Sequence, residues 1–226
     1  MKHYNKIVAH IPHSSILRYM DNWVGSFNMF PNVKRLTDWH TDLLFASNSA
    51  NVKCMVFPYS RFFLDVERLK EDPMEEIGQG KIYKNYNGYT RSLSNKDIEA
   101  LELQYDQWHS LCANEIIENT LVIDCHSFPS DICSDVDVCI GFNDDETTPQ
   151  QETIDMIMNE FSKYGFRVKC NSPYSNSIVF GKHDSIMIEI RKGLYMNENT
   201  LELWKNNSVK VRNAILNIYN KTLNNE

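Results

Sequence analysis

The stretch TLVIDCHS, residues 120–127, places an apolar run of strand length directly before a group of polar side chains. Its first five residues are rich in Val, Leu and Ile and are too few for a helix, which predicts a buried β-strand. Five other segments have the same length and character, and we predict strands there as well: Lys6–Ile11, Val52–Phe57, Val136–Ile140, Phe166–Cys170 and Ser185–Ile190.

Segments with helical spacing separate several of these strands. Ser94 followed by Asp97 is a capping-box pattern, and Thr148 before Pro149 is a second helix start. Asn199 opens a third helix near the end of the chain. The alternation indicates an α/β domain with a largely buried, partly parallel sheet flanked by helices. At 226 residues we expect one domain spanning 1–226.

Composition narrows the classes of partner. The chain is 42% hydrophobic and 23% charged, as in globular proteins, and its net charge of -7 disfavours binding to nucleic acid. No apolar run approaches the roughly 18 residues of a membrane span, and Met1–Pro12 does not read as a signal-peptide core. We therefore predict a cytoplasmic protein without membrane contact. The six cysteines form no CxxC pair, which disfavours disulfides and a cysteine-bound zinc.

Polar residues cluster after the predicted strands. His13 follows the first strand and His126 follows the strand at 120–124, while Glu189 and Arg191 lie at the end of the strand at 185–190. In an open α/β sheet, ligands bind beyond the carboxyl ends of the strands. Two histidines and a carboxylate are the ligand set of a hydrolytic zinc site. Residue types alone leave a purely structural role for each histidine equally open.

Two arginines lie in an apolar stretch, where a guanidinium needs a partner. Arg61 and Arg68 either pair internally with Asp65 and Glu67 or bind a substrate carboxylate. The region 70–91, with three glycines and no clear period, reads as a long loop, and long loops in compact domains are usually functional.

Five short motifs, in this order, resemble the N-formylglutamate amidohydrolase family of deformylases. Each is short, but together they extend from residue 11 to residue 196: Ile11-Pro12-His13-Ser14-Ser15, Thr37-Asp38-Trp39-His40, Tyr59-Ser60-Arg61 leading to Asp65-Val66-Glu67-Arg68, Asp124-Cys125-His126-Ser127, and Ile188-Glu189-Ile190-Arg191 before Leu194-Tyr195-Met196. The family is similar to zinc carboxypeptidases and aspartoacylases. This resemblance implies a zinc-carboxypeptidase-like α/β fold with a mixed, largely parallel central sheet, and a zinc hydrolase.

The resemblance also implies a ligand set. His13 matches the first metal histidine and His126 the later one, but Ile16 stands where carboxypeptidases have a ligating Glu. We expect Asp38 to replace that ligand. Asp42 and His40 are the substitutes, and a structural role for Asp38 at a helix start is the competing interpretation.

Other site roles follow from the same resemblance. Glu189 matches the catalytic glutamate, with pairing to Arg191 as its structural alternative. Arg68 matches an arginine that holds the substrate, and Glu67 replaces the neighbouring asparagine. Substrate binding is predicted for four residues: Arg61, Arg68, Ser127 and Arg191.

The sequence thus predicts a zinc-dependent amidohydrolase that cleaves the N-acyl bond of a small acidic amino acid. N-formyl-L-glutamate is the best single candidate. The alternatives are a carboxypeptidase-like hydrolase of peptides or cell-wall stems, and a binding module that has lost its metal.

Overall fold

A six-stranded mixed sheet forms the centre of the computed structural model, which describes residues 2–24, 28–69 and 71–224. The strands of this sheet are β1 Lys6–Ile11, β3 Val52–Val56, β6 Thr120–Phe128, β7 Val138–Gly141, β8 Val168–Cys170 and β9 Asp184–Arg191. Across the sheet they follow the order β3-β1-β6-β9-β7-β8. All neighbouring pairs are parallel except β7 and β9, which are antiparallel. The predicted mixed, largely parallel α/β fold is confirmed.

Helices cover both faces of this sheet. The helices are α1 Phe30–Leu36, α2 Thr41–Leu44, α3 Asn95–Asn114, α4 Gln151–Ser162, α5 Lys192–Tyr195 and α6 Lys205–Asn224. Alternate residues of β1 show the layering, because Ile7 packs with residues of α4 and α6 whereas Val8 packs with residues of α3. The core is therefore split into two layers by the sheet.

The predicted helix starts differ in accuracy. Helix α3 has the expected capping box, in which Ser94 Oγ accepts from Asp97 N at 3.2 Å and Asp97 Oδ2 accepts from Ser94 N at 2.9 Å. Helix α4 begins at Gln151, since the Thr148 hydroxyl donates to the Asn143 carbonyl in the preceding turn.

Helix α6 begins at Lys205, six residues after the predicted start at Asn199. The segment before it is a turn in which Asn197 Oδ1 accepts hydrogen bonds from the backbone N–H groups of Asn199 and Thr200. The side chain that caps this turn is therefore that of Asn197 and not that of the predicted cap, Asn199.

The predicted loop at 70–91 contains regular structure. A 3₁₀ turn covers Pro73–Glu75, and β4 Asn85–Tyr86 pairs with β5 Tyr89–Arg91. Strand β2, Trp23–Val24, joins them to form a small antiparallel sheet. The prediction of a long loop is therefore wrong for these short elements. Lys70, the first residue of the predicted loop, lies outside the described residues. No helix within the described ranges is long and apolar enough to cross a membrane.

Candidate active site

Three of the predicted site residues meet at the carboxyl ends of β1 and β6. His13 follows β1, His126 lies near the end of β6, and Asp38 is held between α1 and α2 by a hydrogen bond from its N–H to the His13 carbonyl at 2.9 Å. Asp38 Oδ2 lies 3.7 Å from His13 Nδ1 and 3.1 Å from His126 Nδ1. The three side chains are buried, and they offer one ligand atom each within 4.8 Å of one another.

The strand that carries His126 is longer than predicted. Strand β6 continues to Phe128, so His126 and Ser127 lie on the strand and not after it. Pairing with β1 on one side and β9 on the other keeps the backbone extended through these polar positions.

Buried carboxylates lie behind both histidine rings, and one of them, Asp65, forms a hydrogen bond to its histidine. His13 Nε2 hydrogen-bonds to Asp65 Oδ1 at 2.8 Å, and His126 Nε2 lies 3.0 Å from Asp124 Oδ1. Asp124 is in turn bonded to His10 Nδ1 at 2.8 Å. Carboxylates behind metal-ligating histidines fix the ring orientation and raise the basicity of the ligand.

The charges of this cluster are mutually stabilised. Burial opposes protonation of His13, but Asp65 and Asp38 outweigh it and raise the pKa of His13. Burial likewise opposes ionisation of Asp38, yet its contacts to both histidines hold the pKa of this carboxyl well below its usual value. The site is a compact group of carboxylates and imidazoles that attracts a cation, either a proton or a metal.

The donor set fits a metal ion. His13 Nδ1 is buried and has no hydrogen-bond partner among the described residues, which is costly for a polar atom unless something binds there. Imidazole nitrogen and carboxylate oxygen are ligands that zinc accepts. The two substitute ligands lie elsewhere, because His40 Nε2 contacts the Leu201 carbonyl at 2.7 Å and Asp42 is exposed.

A cavity of about 400 Å³ opens beside this cluster, and Glu189 lines it. In β9, Met187 and Glu189 face the cavity whereas Ile188 and Ile190 pack into the core. Glu189 is 9% exposed, its Oε2 has no hydrogen-bond partner in the described part of the chain, and burial raises its pKa to about 8. A carboxyl of this kind is suited to proton transfer near neutral pH.

The arginines divide into three different environments. Arg61 lines the cavity but is paired with Asp65, to which its Nε and Nη2 donate at 3.1 and 2.9 Å. Arg68 also lines the cavity, donates weakly to Asp72 at 3.4 Å, and has a buried Nε without a hydrogen-bond partner among the described residues. Arg68 thus has free capacity to bind an anion.

Arg191 is directed away from the cavity. Its Nη2 donates to Asp137 Oδ1 at 2.5 Å and its Nε to the Val136 carbonyl at 3.1 Å, and it is not among the cavity-lining residues. We therefore withdraw Arg191 from the predicted substrate-binding set, and its pairing with Asp137 also removes the proposed structural partner of Glu189. Ser127, 5% exposed, does line the cavity.

Sequence reasoning overlooked several cavity residues. Lys192 is buried, its Nζ donates to the Arg35 carbonyl at 2.5 Å and lies 4.0 Å from Asp38, and burial lowers its pKa. Tyr83 comes from the region read as a loop, and burial raises its pKa. Lys192 directly follows a motif residue, which is the one signal that could have identified it.

The fold and the site together define an α/β protein with a polar cluster and a cavity at the carboxyl ends of its parallel strands. The model of the N-formylglutamate amidohydrolase family matches residues 5–196. The chain belongs to this family, and the amidohydrolase class predicted from its motifs is confirmed.

Two solved structures are similar to the whole chain. One is an N-formylglutamate amidohydrolase from Ralstonia eutropha JMP134, with 20% identity, a TM-score of 0.75, and coverage of 98% of this chain and 93% of the other. The other is the gene product Atu2144 from Agrobacterium tumefaciens, with 16% identity, a TM-score of 0.64, and coverage of 96% and 90%. At these identities the likeness shows the fold. No curated protein matches the sequence.

Proposed function

We propose that the protein hydrolyses the N-acyl amide bond of a small acidic amino acid in a zinc-dependent reaction, with N-formyl-L-glutamate as the best candidate substrate. His13, Asp38 and His126 would hold the metal. The observation that carries this proposal is the convergence of these three side chains around a buried, unpartnered His13 Nδ1. A binding module that had lost its metal would have no need to keep this donor set intact.

The chemistry divides between the metal and the cavity. A bound zinc ion lowers the pKa of water to about 7 and polarises a carbonyl group. Glu189, on the cavity wall, would take the proton from the attacking water and return it to the leaving nitrogen. Asp65 and Asp124 would keep the rings of His13 and His126 in place during the reaction.

Recognition of an acidic substrate rests on the cations of the cavity. Arg68 has an unpartnered Nε and would bind a carboxylate through its planar guanidinium. Lys192 lines the same cavity and adds a second positive group. Arg61 would act chiefly by orienting Asp65, while Ser127 would contribute a hydrogen bond from the wall.

A neighbouring cavity favours a second candidate function, hydrolysis of a peptide or another substrate with a large acyl group. This cavity has a volume of about 380 Å³ and shares four lining residues with the first: Glu67, Arg68, Ser175 and Met187. A formyl group would leave it empty. A longer chain would extend into it.

A substrate panel combined with zinc analysis tests the proposal. Native protein should bind one zinc ion and cleave N-formyl-glutamate faster than N-formyl-leucine. His126→Ala should remove the metal and the activity while the circular dichroism spectrum stays native. Full zinc retention in this variant would refute the ligand assignment. Equal cleavage of both formyl substrates would refute acidic selectivity, and faster cleavage of N-terminally extended peptides would support the second candidate.

A further inference from the structure

A third cavity adjoins the main cavity of about 400 Å³ on the side of α1. This α1 cavity has a volume of about 260 Å³ and lies between α1 and residues 196–201, which follow α5. It shares Arg35, Pro129 and Lys192 with the main cavity, and no lining residue with the neighbouring cavity of about 380 Å³. The main cavity is therefore extended at two separate places, one beside Lys192 and one beside Arg68.

Lys192 is a buried cation where the main cavity and the α1 cavity adjoin. It is 2% exposed, its Nζ donates to the Arg35 carbonyl at 2.5 Å, and Asp38 Oδ1 lies 4.0 Å away, beyond hydrogen-bond distance. Within the described part of the chain, its ammonium group forms no hydrogen bond to a carboxylate. A buried ammonium group needs an anionic partner. Since Asp38 is a proposed metal ligand, an anion from the substrate would meet this need.

Lys34 is a second cation of the α1 cavity that has no carboxylate partner among the described residues. Its Nζ donates to the Asn199 carbonyl at 2.5 Å, which is a neutral acceptor. Arg35, by contrast, is paired, because its Nη1 donates to both carboxylate oxygens of Asp131 at 2.8 and 2.6 Å. Glu198 is the one carboxylate among the described lining residues, and it accepts from a backbone N–H at 3.3 Å. The α1 cavity therefore has a positive charge.

The remaining lining of the α1 cavity is largely apolar. Four apolar side chains line it: Pro31, Pro129, Met196 and Leu201. A bare phosphate ion would leave these side chains without contact, whereas a short hydrocarbon chain that ends in an anion would cover them and also reach the cations. The side chain of an acidic amino acid has this form. The lining therefore fits a carboxylate on a short methylene chain.

We propose that the α1 cavity binds the side-chain carboxylate of the substrate through Lys192 and Lys34, while Arg68 binds the α-carboxylate. This inference rests on the proposed function and deepens it. Arg68 lines the main cavity where the neighbouring cavity adjoins it, and Lys192 lines it where the α1 cavity does. Two cations at separate places can each bind one of the two carboxylates of a single substrate. A substrate with one carboxylate would leave one of the two cations unpaired.

Selectivity between substrates of the same shape tests this assignment. N-formyl-glutamine replaces the side-chain carboxylate by an amide, and N-formyl-isoglutamine replaces the α-carboxylate in the same way. Native protein should prefer N-formyl-glutamate to either amide by about tenfold or more in kcat/KM, because a hydrogen bond between two charged groups is lost. Lys192→Met should abolish only the preference over N-formyl-glutamine. Arg68→Lys should reduce only the preference over N-formyl-isoglutamine.

Lys34→Met provides a second variant, in which the charge is removed farther from the metal ligands. The preference over N-formyl-glutamine should fall by about threefold while the zinc content stays native. Lys210→Met is the matched control, because it removes the same charge from an exposed position of α6 that lines neither the main cavity nor the α1 cavity. The control should keep the native preference. Native thermal melting would show that all these variants fold.

The outcomes separate this inference from the proposed function. If N-formyl-glutamate is cleaved and its preference over N-formyl-glutamine is absent in native protein, or survives in both Lys192→Met and Lys34→Met, the inference is wrong although the proposed function stands. An equal loss of preference in Lys210→Met would also overturn it. If no N-formyl substrate is cleaved, the proposed function fails, and calorimetric titration with L-glutamate and L-glutamine still tests the cavity. Glutamate should then bind to native protein about tenfold more tightly, and equal binding would contradict the inference.

Discussion

Two buried aspartates, each surrounded by arginines, show the difference between a structural ion cluster and a functional one. Asp137 accepts hydrogen bonds from Arg167 and Arg191, with distances of 2.9 Å from Arg167 Nη2 and 2.5 Å from Arg191 Nη2. Asp65 similarly accepts from Arg61 and, in addition, from His13 Nε2. Both carboxylates are paired with positively charged or imidazole donors, as buried charges need to be.

The two clusters differ in whether the residues around the aspartate still have donors without a hydrogen-bond partner. Near Asp137, Arg191 Nε donates to the Val136 carbonyl, and Arg167 donates to the Ser134 carbonyl. Around Asp65, by contrast, His13 Nδ1 and Arg68 Nε are buried and unpartnered among the described residues. Unsatisfied buried atoms are costly, so their concentration beside a cavity indicates a place where something else binds.

Glu189→Gln should have the largest effect among the changes that test this contrast. The substitution preserves shape and removes the base, so turnover should fall by about 100-fold or more while zinc stays bound. Steady-state kinetics with zinc analysis measures both. Near-native turnover would exclude the role of general base, and loss of zinc would make Glu189 a ligand.

The pH profile of the same variant sharpens the test. Burial raises the pKa of Glu189 toward about 8, and the base acts only when ionised. Activity of the native protein should therefore rise with pH through the weakly acidic and neutral range. In Glu189→Gln this rise of activity with pH should disappear. If the residual activity of the variant rose with pH as in the native protein, the ionisation would belong to another group.

Asp65→Asn should weaken zinc binding by about 10- to 100-fold, because it removes the carboxylate that orients His13. Asp137→Asn is the matched control and should leave zinc affinity native, since its partners do not reach the cavity. Chelator competition measures both variants. Equal zinc loss in the two would mean that the two clusters do not differ in function.

Much of this arrangement could be predicted from the sequence, since strand-length apolar runs located the sheet and the residues at its carboxyl ends. Asp38 could be chosen only through the resemblance, and its contact with His13 depends on how the segment between β1 and β3 folds back. The hairpin at 85–91 had a local signal, because Asn87-Gly88 with positive φ at both residues is a typical tight β-turn.

The partners of the arginines could not be predicted. Arg191 and Asp137 are 54 residues apart and meet because β7 pairs antiparallel with β9. No sequence motif indicates that this pair of strands runs antiparallel. Likewise, Lys192 faces the cavity because α5 begins directly where β9 ends. Pairing across distant strands and the direction of a side chain at a strand end are set by the tertiary fold.

Arg68→Lys should have a smaller effect, a rise in the Michaelis constant of about tenfold for an acidic substrate. Lysine keeps the charge but loses the planar pair of donors that fits a carboxylate. Zinc affinity and the turnover number should stay near native, which separates substrate binding from catalysis. An unchanged Michaelis constant would leave Lys192 as the principal carboxylate-binding cation of the cavity.

Arg191→Gln should have the smallest effect on activity, and it tests the contrast from its structural side. The change removes the hydrogen bonds from Arg191 to Asp137 and to the Val136 carbonyl, while Arg167 still pairs with Asp137. Asp137 keeps Arg167 as a partner, so the free energy of unfolding should fall by about 2 kcal/mol, the usual size of a lost hydrogen bond to a charged group, measured by urea denaturation. The Michaelis constant should stay within twofold of native, because Arg191 does not line the cavity. If the Michaelis constant rose tenfold while stability and zinc content stayed native, Arg191 would belong to the substrate-binding residues. Whether an arginine has all its hydrogen bonds satisfied would then not distinguish structural arginines from functional ones.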